Sequence, residues 1–256
     1  MITDTFDNLS ESKINPDLTK KRIKVDACII TFSNIIEDYI INKYHPEVIG
    51  KYETVNGVQP IYKIKEGEYN FAFYKTILSA PMAVACLEDS RIVIDTDKYI
   101  CFGGSGCLNK EYARGKIIVP TYAYRDEGTS YHYKAKSDYI DIKNSNIVAK
   151  FFDNEDIPFA IGKTWTTDAF YRETERNFEK RKEDGCISVE MECSAMQAVC
   201  DFRNIELFYF LSCGDLLDCP KWDKRNPQNG YEGTQHDVRL VNLAIDLAKF
   251  ILEEKE

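Results

Sequence analysis

The sequence has few histidines, no paired-cysteine motif, no long apolar run and no excess of positive charge, and each lack removes a class of function. No apolar stretch reaches the roughly 18 residues that a membrane span requires, so a membrane is not an expected partner. His45, His132 and His236 lie far apart, and the nine cysteines include no Cys-x-x-Cys pair. A zinc site, which depends on closely spaced ligands, is therefore not expected, and neither is any other metal or resident cofactor. The cysteines are odd in number and scattered, with Cys28, Cys86, Cys193, Cys200 and Cys213 in apolar stretches. That pattern fits reduced thiols in a cytoplasmic protein better than a disulfide framework. Lys and Arg number 33 against 42 Asp and Glu, a formal net charge of −9. A nucleic-acid surface needs a basic stripe, so nucleic acid is not an expected partner either. The stretch from Met1 to Asn15 is polar and mixed in charge, unlike a signal or transit peptide.

What is present suffices for a large core, since 44% of the 256 residues are hydrophobic. Apolar runs alternate with amphipathic stretches, the pattern of an α/β domain. Val25–Ile30, Tyr99–Phe102, Ile117–Val119, Ile157–Gly162, Cys186–Glu190 and Leu207–Cys213 read as strands. Residues 58–79 read as two strands about a turn at Lys65–Glu68. Asn34–Tyr44, Pro81–Asp89, Glu192–Phe202 and Gln235–Glu253 have helical spacing. The expectation is an N-terminal arm over residues 1–20 and one domain over residues 21–256 with a central mixed sheet and flanking helices.

In open α/β sheets ligands gather at the carboxyl ends of strands, and three such ends stand out. Gly103-Gly104-Ser105-Gly106 follows a strand, where glycines let a ligand approach the backbone; a tight turn reads equally well, and no Lys-Ser/Thr follows to make a phosphate loop. Glu190 and Glu192 flank Met191, and strand alternation would put both carboxylates on one face. A carboxylate accepts two hydrogen bonds and suits a vicinal diol; a solvated strand end before an acidic helix N-terminus is the alternative. Asp215 lies just past an apolar run, a setting for a general acid or for a turn cap. A fourth segment, Arg125 to Tyr133, is dense in polar groups and reads as a site loop or a surface turn.

Taken together these segments resemble the purine nucleoside phosphorylase and uridine phosphorylase superfamily, in family order over roughly residues 18–250. Val189-Glu190-Met191-Glu192 is similar to its VEME signature. Gly103 to Leu108 resembles its Gly-rich base-pocket loop, Val119 to Tyr133 its uridine-phosphorylase-like branch, Thr166-Thr167-Asp168-Ala169-Phe170-Tyr171 its SxDxFY strand end, and Ser212 to Asp215 the Ser-Asp of its purine enzymes. The resemblance implies a three-layer α/β/α fold about a partly barrel-like sheet, in a dimer, trimer or hexamer. It implies that Glu192, with Glu190 beside it, binds the ribose hydroxyls and that Met191 packs on the sugar. Phe170 would stack on the base, Ser105 and Gly106 would line its pocket, and Asp215 would protonate purine N7. Arg176 falls where pyrimidine enzymes place an Arg on the uracil carbonyl, but their nearby Gln is Thr174 here, which leans the base towards purine.

The phosphate site departs from the family. Its Gly-Asp-Pro-x-Arg loop reads Phe32-Ser33-Asn34-Ile35-Ile36 here, its second phosphate Arg aligns with Cys101, and its hydroxyl donor aligns with Gly104. Arg125 is the candidate to hold phosphate instead, and Glu37 the candidate to position water. The implied reaction is cleavage of a nucleoside N-glycosidic bond with transfer of the ribosyl group to phosphate, a co-substrate. Hydrolysis is the alternative, and nucleoside sensing without turnover is the alternative of another class.

Overall fold

Strand β2 (Ala27–Thr31) reads Ala-Cys-Ile-Ile-Thr and is buried at every position, as a strand covered on both faces must be. The computed structural model that contains it describes residues 1–55, 57–224 and 231–254; the last two residues of the expected domain lie outside the described residues. A short β1 (Ile23–Lys24) precedes β2. Helix α1 (Asn34–Tyr44) follows, opened by the Ser33 hydroxyl accepting from the Ile36 N–H and closed at His45 in a left-handed conformation. Next come β3 (Glu47–Thr54), β4 (Gly57–Glu66), β5 (Tyr69–Lys75), α2 (Ala80–Val93), β6 (Ile94–Asp95) and β7 (Lys98–Cys107). The middle of the chain forms α3 (Lys110–Ala113), β8 (Ile117–Asp126), α4 (Ser130–Tyr133), β9 (Tyr139–Asp141), α5 (Ser145–Asn154) and β10 (Phe159–Thr167). It ends with α6 (Glu175–Glu183), β11 (Cys186–Glu190), α7 (Cys193–Arg203), β12 (Glu206–Leu216) and α8 (Tyr231–Glu253).

The main sheet runs β11-β10-β8-β12-β7-β2-β5-β4-β3, with β9 on β8. Because β11 also pairs with β7, the strands β7, β12, β8, β10 and β11 close into a barrel, and β2, β5, β4 and β3 continue from it as an open wing. Helices α2 and α7 bury Leu87, Met196 and Val199 in one core, while α1, α5 and α8 bury Ile40, Phe152 and Leu247 in another. These two cores sandwich the sheet, giving the α/β/α layering. No helix among the described residues is long and apolar enough to cross a membrane.

Three strands are longer than the apolar runs suggest. Strand β7 continues through the glycines, with Gly103, Gly104 and Ser105 paired to Leu211, Ser212 and Cys213 of β12. Strand β8 passes Pro120, whose missing N–H is accommodated where the register against β10 shifts. Strand β12 extends to Leu216, so Asp215 lies inside the strand rather than beyond it. Conversely, β3 is an edge strand that buries only Tyr52, and α6 buries only Phe178 and Arg181, so neither carries a strong apolar period.

Candidate active site

The barrel brings the singled-out segments to one place. Val189 of β11 pairs with Gly106 of β7, and Ser105 pairs with Cys213 of β12. A Cβ on Gly106 would lie 2.6 Å from Leu217, 2.9 Å from Val189 and 3.5 Å from Asp215 Oδ1. Gly106 is thus the seat where β11, β12 and the Gly-rich stretch of β7 meet. Gly106→Ala is expected to cost about 1–3 kcal/mol by overpacking; an unchanged urea midpoint would refute this close approach. The Ser105 hydroxyl is buried and donates to the Ser212 carbonyl at 3.3 Å.

The two glutamates of the signature do different things. Glu190 is the last residue of β11, and both of its carboxylate oxygens are engaged. One accepts from the Thr166 hydroxyl at 2.6 Å, the other from the backbone N–H groups of Glu192 at 2.7 Å and Cys193 at 2.6 Å. Glu190 therefore caps the first turn of α7, where a negative charge suits the helix dipole, although burial pushes its carboxyl up to about 7. The chain turns out of the strand directly after Glu190, so strand alternation no longer sets the faces of the two glutamates.

Glu192, 4% exposed, accepts from the Ser79 N–H at 2.7 Å. Burial, then the charge of Glu190, push it up to about 8. A carboxylate has roughly four acceptor positions, so Glu192 retains capacity for a ligand. Ser79 holds its N–H in place at φ 100°, a conformation costly for a side chain other than glycine. Behind α7, the Ser194 hydroxyl donates to Glu127 at 2.9 Å and the Ser194 N–H to Thr166 at 3.1 Å, so buried polar groups fix the turn that carries Met191 and Glu192. Met191 itself is half-buried.

On the other side of Gly106, Asp215 Oδ2 accepts from the Trp222 indole N–H at 2.6 Å. Phe170, 45% exposed, stands just past β10 with its ring 4.1 Å from that of Tyr171. Glu173 is on the same turn, its N–H donating to the Phe170 carbonyl, and is half-buried. Burial, then the charge of Asp215, push the Glu173 carboxyl up to about 7. Nothing in the sequence separates Glu173 from the neighbouring Glu175; only the fold half-buries its carboxyl. Arg176 is exposed on the first turn of α6.

The side where the family grips phosphate is differently built. The Phe32 ring lies 3.1 Å from the place of a Cβ on Gly103. Ile36 and Cys101 are core residues, 2% and 0% exposed. Arg125 does not face this side as a free cation. It is 3% exposed, and its guanidinium donates to the Ser130 and Ser137 hydroxyls and to the Lys134 and Ala135 carbonyls. Arg125 thus braces the polar segment through these four partners. Glu37 pairs with Lys75 at 2.8 Å, and Lys75 also donates to Asn34 at 2.6 Å. This pair sits where β2 and β5 end, since the Thr76 N–H donates to the Thr31 carbonyl there.

A profile of the Phosphorylase superfamily matches residues 43–239. An uncharacterized protein of Acanthamoeba polyphaga mimivirus is 26% identical over 59% of this chain and 59% of its own length. A guanosine phosphorylase of Halorubrum lacusprofundi is 26% identical over 54% of this chain and 59% of its own length. The chain thus matches about three fifths of the length of these two relatives. A 5'-methylthioadenosine/S-adenosylhomocysteine nucleosidase of Buchnera aphidicola is 29% identical over 61% of this chain and 73% of its own. Among solved structures, purine nucleoside phosphorylase from Toxoplasma gondii superposes with a TM-score of 0.71 at 16% identity, covering 97% of this chain and 100% of that one. AMP nucleosidase from Bacteroides thetaiotaomicron gives 0.69 at 16% identity, covering 90% of each. With the family profile spanning most of the chain and the same fold in these neighbours, the chain belongs to the phosphorylase superfamily.

Proposed function

We propose that the protein cleaves the N-glycosidic bond of a purine nucleoside and passes the ribosyl group to water. The observation that carries this reading is that the barrel sets β11, which leads into the buried carboxyl Glu192 with spare acceptor capacity, against Gly106, beside which stands Asp215, a carboxylate held by an indole. Glu192 accepts hydrogen bonds from O2′ and O3′ of ribose, and Met191 packs on the sugar. Phe170 stacks on the base, over a floor formed by Ser105 and Gly106. As the C1′–N9 bond breaks, its electron pair moves into the base and Asp215 delivers a proton to N7. The ribosyl cation takes a water oxygen, and that water loses a proton.

Water is favoured over phosphate because the four positions that grip phosphate in the family hold Phe32, Ile36, Cys101 and Gly104 here, and the guanidinium of Arg125 is engaged elsewhere. Charge-assisted hydrogen bonds contribute about 1.5–3 kcal/mol each, so losing two weakens phosphate binding by roughly 10²–10⁴-fold. Glu37, held by Lys75, is the carboxylate that remains near that side to position water. Transfer to phosphate is the second reading, supported by the guanosine phosphorylase among the relatives. The test is base release from a panel of purine nucleosides in phosphate-free buffer. Free base and free ribose, at a rate that millimolar phosphate leaves unchanged, are expected. Release only with phosphate, yielding ribose 1-phosphate, would establish the second reading; nucleoside binding without release would leave a sensor.

A further inference from the structure

We propose that Trp222 is a positioning residue for Asp215: its indole N–H fixes the carboxyl so that Oδ1 is the oxygen that gives its proton to the base. This rests on the reading of Asp215 as the acid. Three features carry it. The two oxygens of Asp215 have different surroundings. Oδ2 accepts the Trp222 indole N–H at 2.6 Å, whereas Oδ1 lies 3.5 Å from the place of a Cβ on Gly106, beside the floor of the pocket. The segment from Asp215 to Trp222 is folded back on itself and onto β7. Leu216 and Asp223 exchange backbone hydrogen bonds at 2.8 and 3.1 Å, and the N–H groups of Leu217 and Asp218 both donate to the carbonyl of Cys107, next to Gly106, at 3.1 and 3.3 Å. The indole is also inverted. A tryptophan usually buries its rings and leaves its N–H at the wet end, but Trp222 is 54% exposed and turns its N–H onto the half-buried Asp215. Core packing therefore does not account for the placement of this ring.

A carboxylic acid carries its proton on one oxygen and accepts through the other. With Oδ2 taken by the indole N–H, the proton is placed on Oδ1, which faces the pocket. During the reaction the Oδ1–H bond breaks as the N7–H bond forms, and the C1′–N9 electron pair enters the base. The electron pair of the broken O–H bond stays on Asp215 as carboxylate charge. The indole N–H then donates to an anion instead of a neutral acid. A hydrogen bond to a charged group is roughly twice as strong as one between neutral groups. The contact therefore tightens as the transition state is approached, and only such contacts accelerate the chemical step. Trp222 acts on the rate through Asp215, without touching the reacting atoms. The proton released as water captures the ribosyl cation restores the acid.

The test is a double-mutant cycle on the single-turnover rate of base release from a purine nucleoside, with Trp222→Phe, Asp215→Asn and the double variant. Phenylalanine keeps an aromatic ring and removes the N–H. Trp222→Phe is expected to slow release about tenfold, the difference between a charged and a neutral hydrogen bond, with KM little changed. In the Asp215→Asn background the same substitution should change nothing further, because no carboxyl proton remains to be placed. A wild-type rate for Trp222→Phe, or an equal slowing in both backgrounds, beside a slow Asp215→Asn, would overturn the positioning while leaving Asp215 as the acid. A fast Asp215→Asn, or no release by the wild type, would overturn the reading of Asp215 itself. Indole NMR gives a readout without turnover. The chain has two tryptophans, and Trp165 donates instead to Asp126 at 3.0 Å. The indole N–H resonance that disappears in Trp222→Phe should shift in Asp215→Asn, and a resonance unmoved by that substitution would overturn the contact.

Discussion

Replacing Glu192 by alanine is expected to lower kcat/KM for a purine nucleoside by roughly 10²–10⁴-fold, the loss of two charge-assisted hydrogen bonds at about 1.5–3 kcal/mol each. The change also leaves the Ser79 N–H without its acceptor, so a fall in stability accompanies it. Glu192→Gln separates the two effects, because it keeps the volume and one acceptor oxygen. The raised carboxyl adds a signature of its own. Burial holds Glu192 near 8, so at neutral pH it is largely protonated. Ribose hydroxyls that donate to it favour the charged form and lower its pKa. Nucleoside binding near pH 7 should therefore release a proton, seen as a heat of binding that varies with the ionisation heat of the buffer. A buffer-independent heat, or a Glu192→Ala variant with wild-type kcat/KM, would remove Glu192 from the site.

Asp215→Asn is expected to reduce kcat by about 10²–10⁴-fold, the usual contribution of a general acid, while nucleoside affinity changes little. The asparagine can still accept from the Trp222 indole through its carbonyl oxygen, so the loop that carries Trp222 keeps its tether. What it cannot do is give a carboxyl proton to N7. Single-turnover base release separates this loss of chemistry from a loss of binding. A variant that weakens binding and leaves the chemical step untouched would make Asp215 a base-recognition group instead.

Much of the architecture is legible in the sequence because apolar runs mark buried strands. Ala27 to Thr31 and Cys186 to Glu190 are nearly all apolar or small and become strands buried throughout. The edge strand β3 is not legible, since an element that buries one residue in eight leaves no period to read. At the site, the meeting of the Val189 strand, Gly106 and Asp215 follows from motif order together with the expectation that ligands gather at strand ends. The division of labour between Glu190 and Glu192 does not, because it depends on where β11 stops and on the four donors that then surround Glu190. Arg125 illustrates the same limit. As a residue type it suits phosphate, but its partners lie five to twelve residues further along its own loop and come together only in the fold.

The account stands on Glu192 as the residue that recognises the ribose diol. The most direct measurement is the calorimetric affinity of a purine ribonucleoside against that of its 2′,3′-dideoxy analogue, in the wild type and in Glu192→Ala. Wild-type protein should bind the ribonucleoside at least about 100-fold more tightly, as expected when a buried acceptor loses its hydroxyl partners, and Glu192→Ala should erase the difference. Equal affinities for the two ligands in the wild type, or a preference that survives in Glu192→Ala, would contradict it.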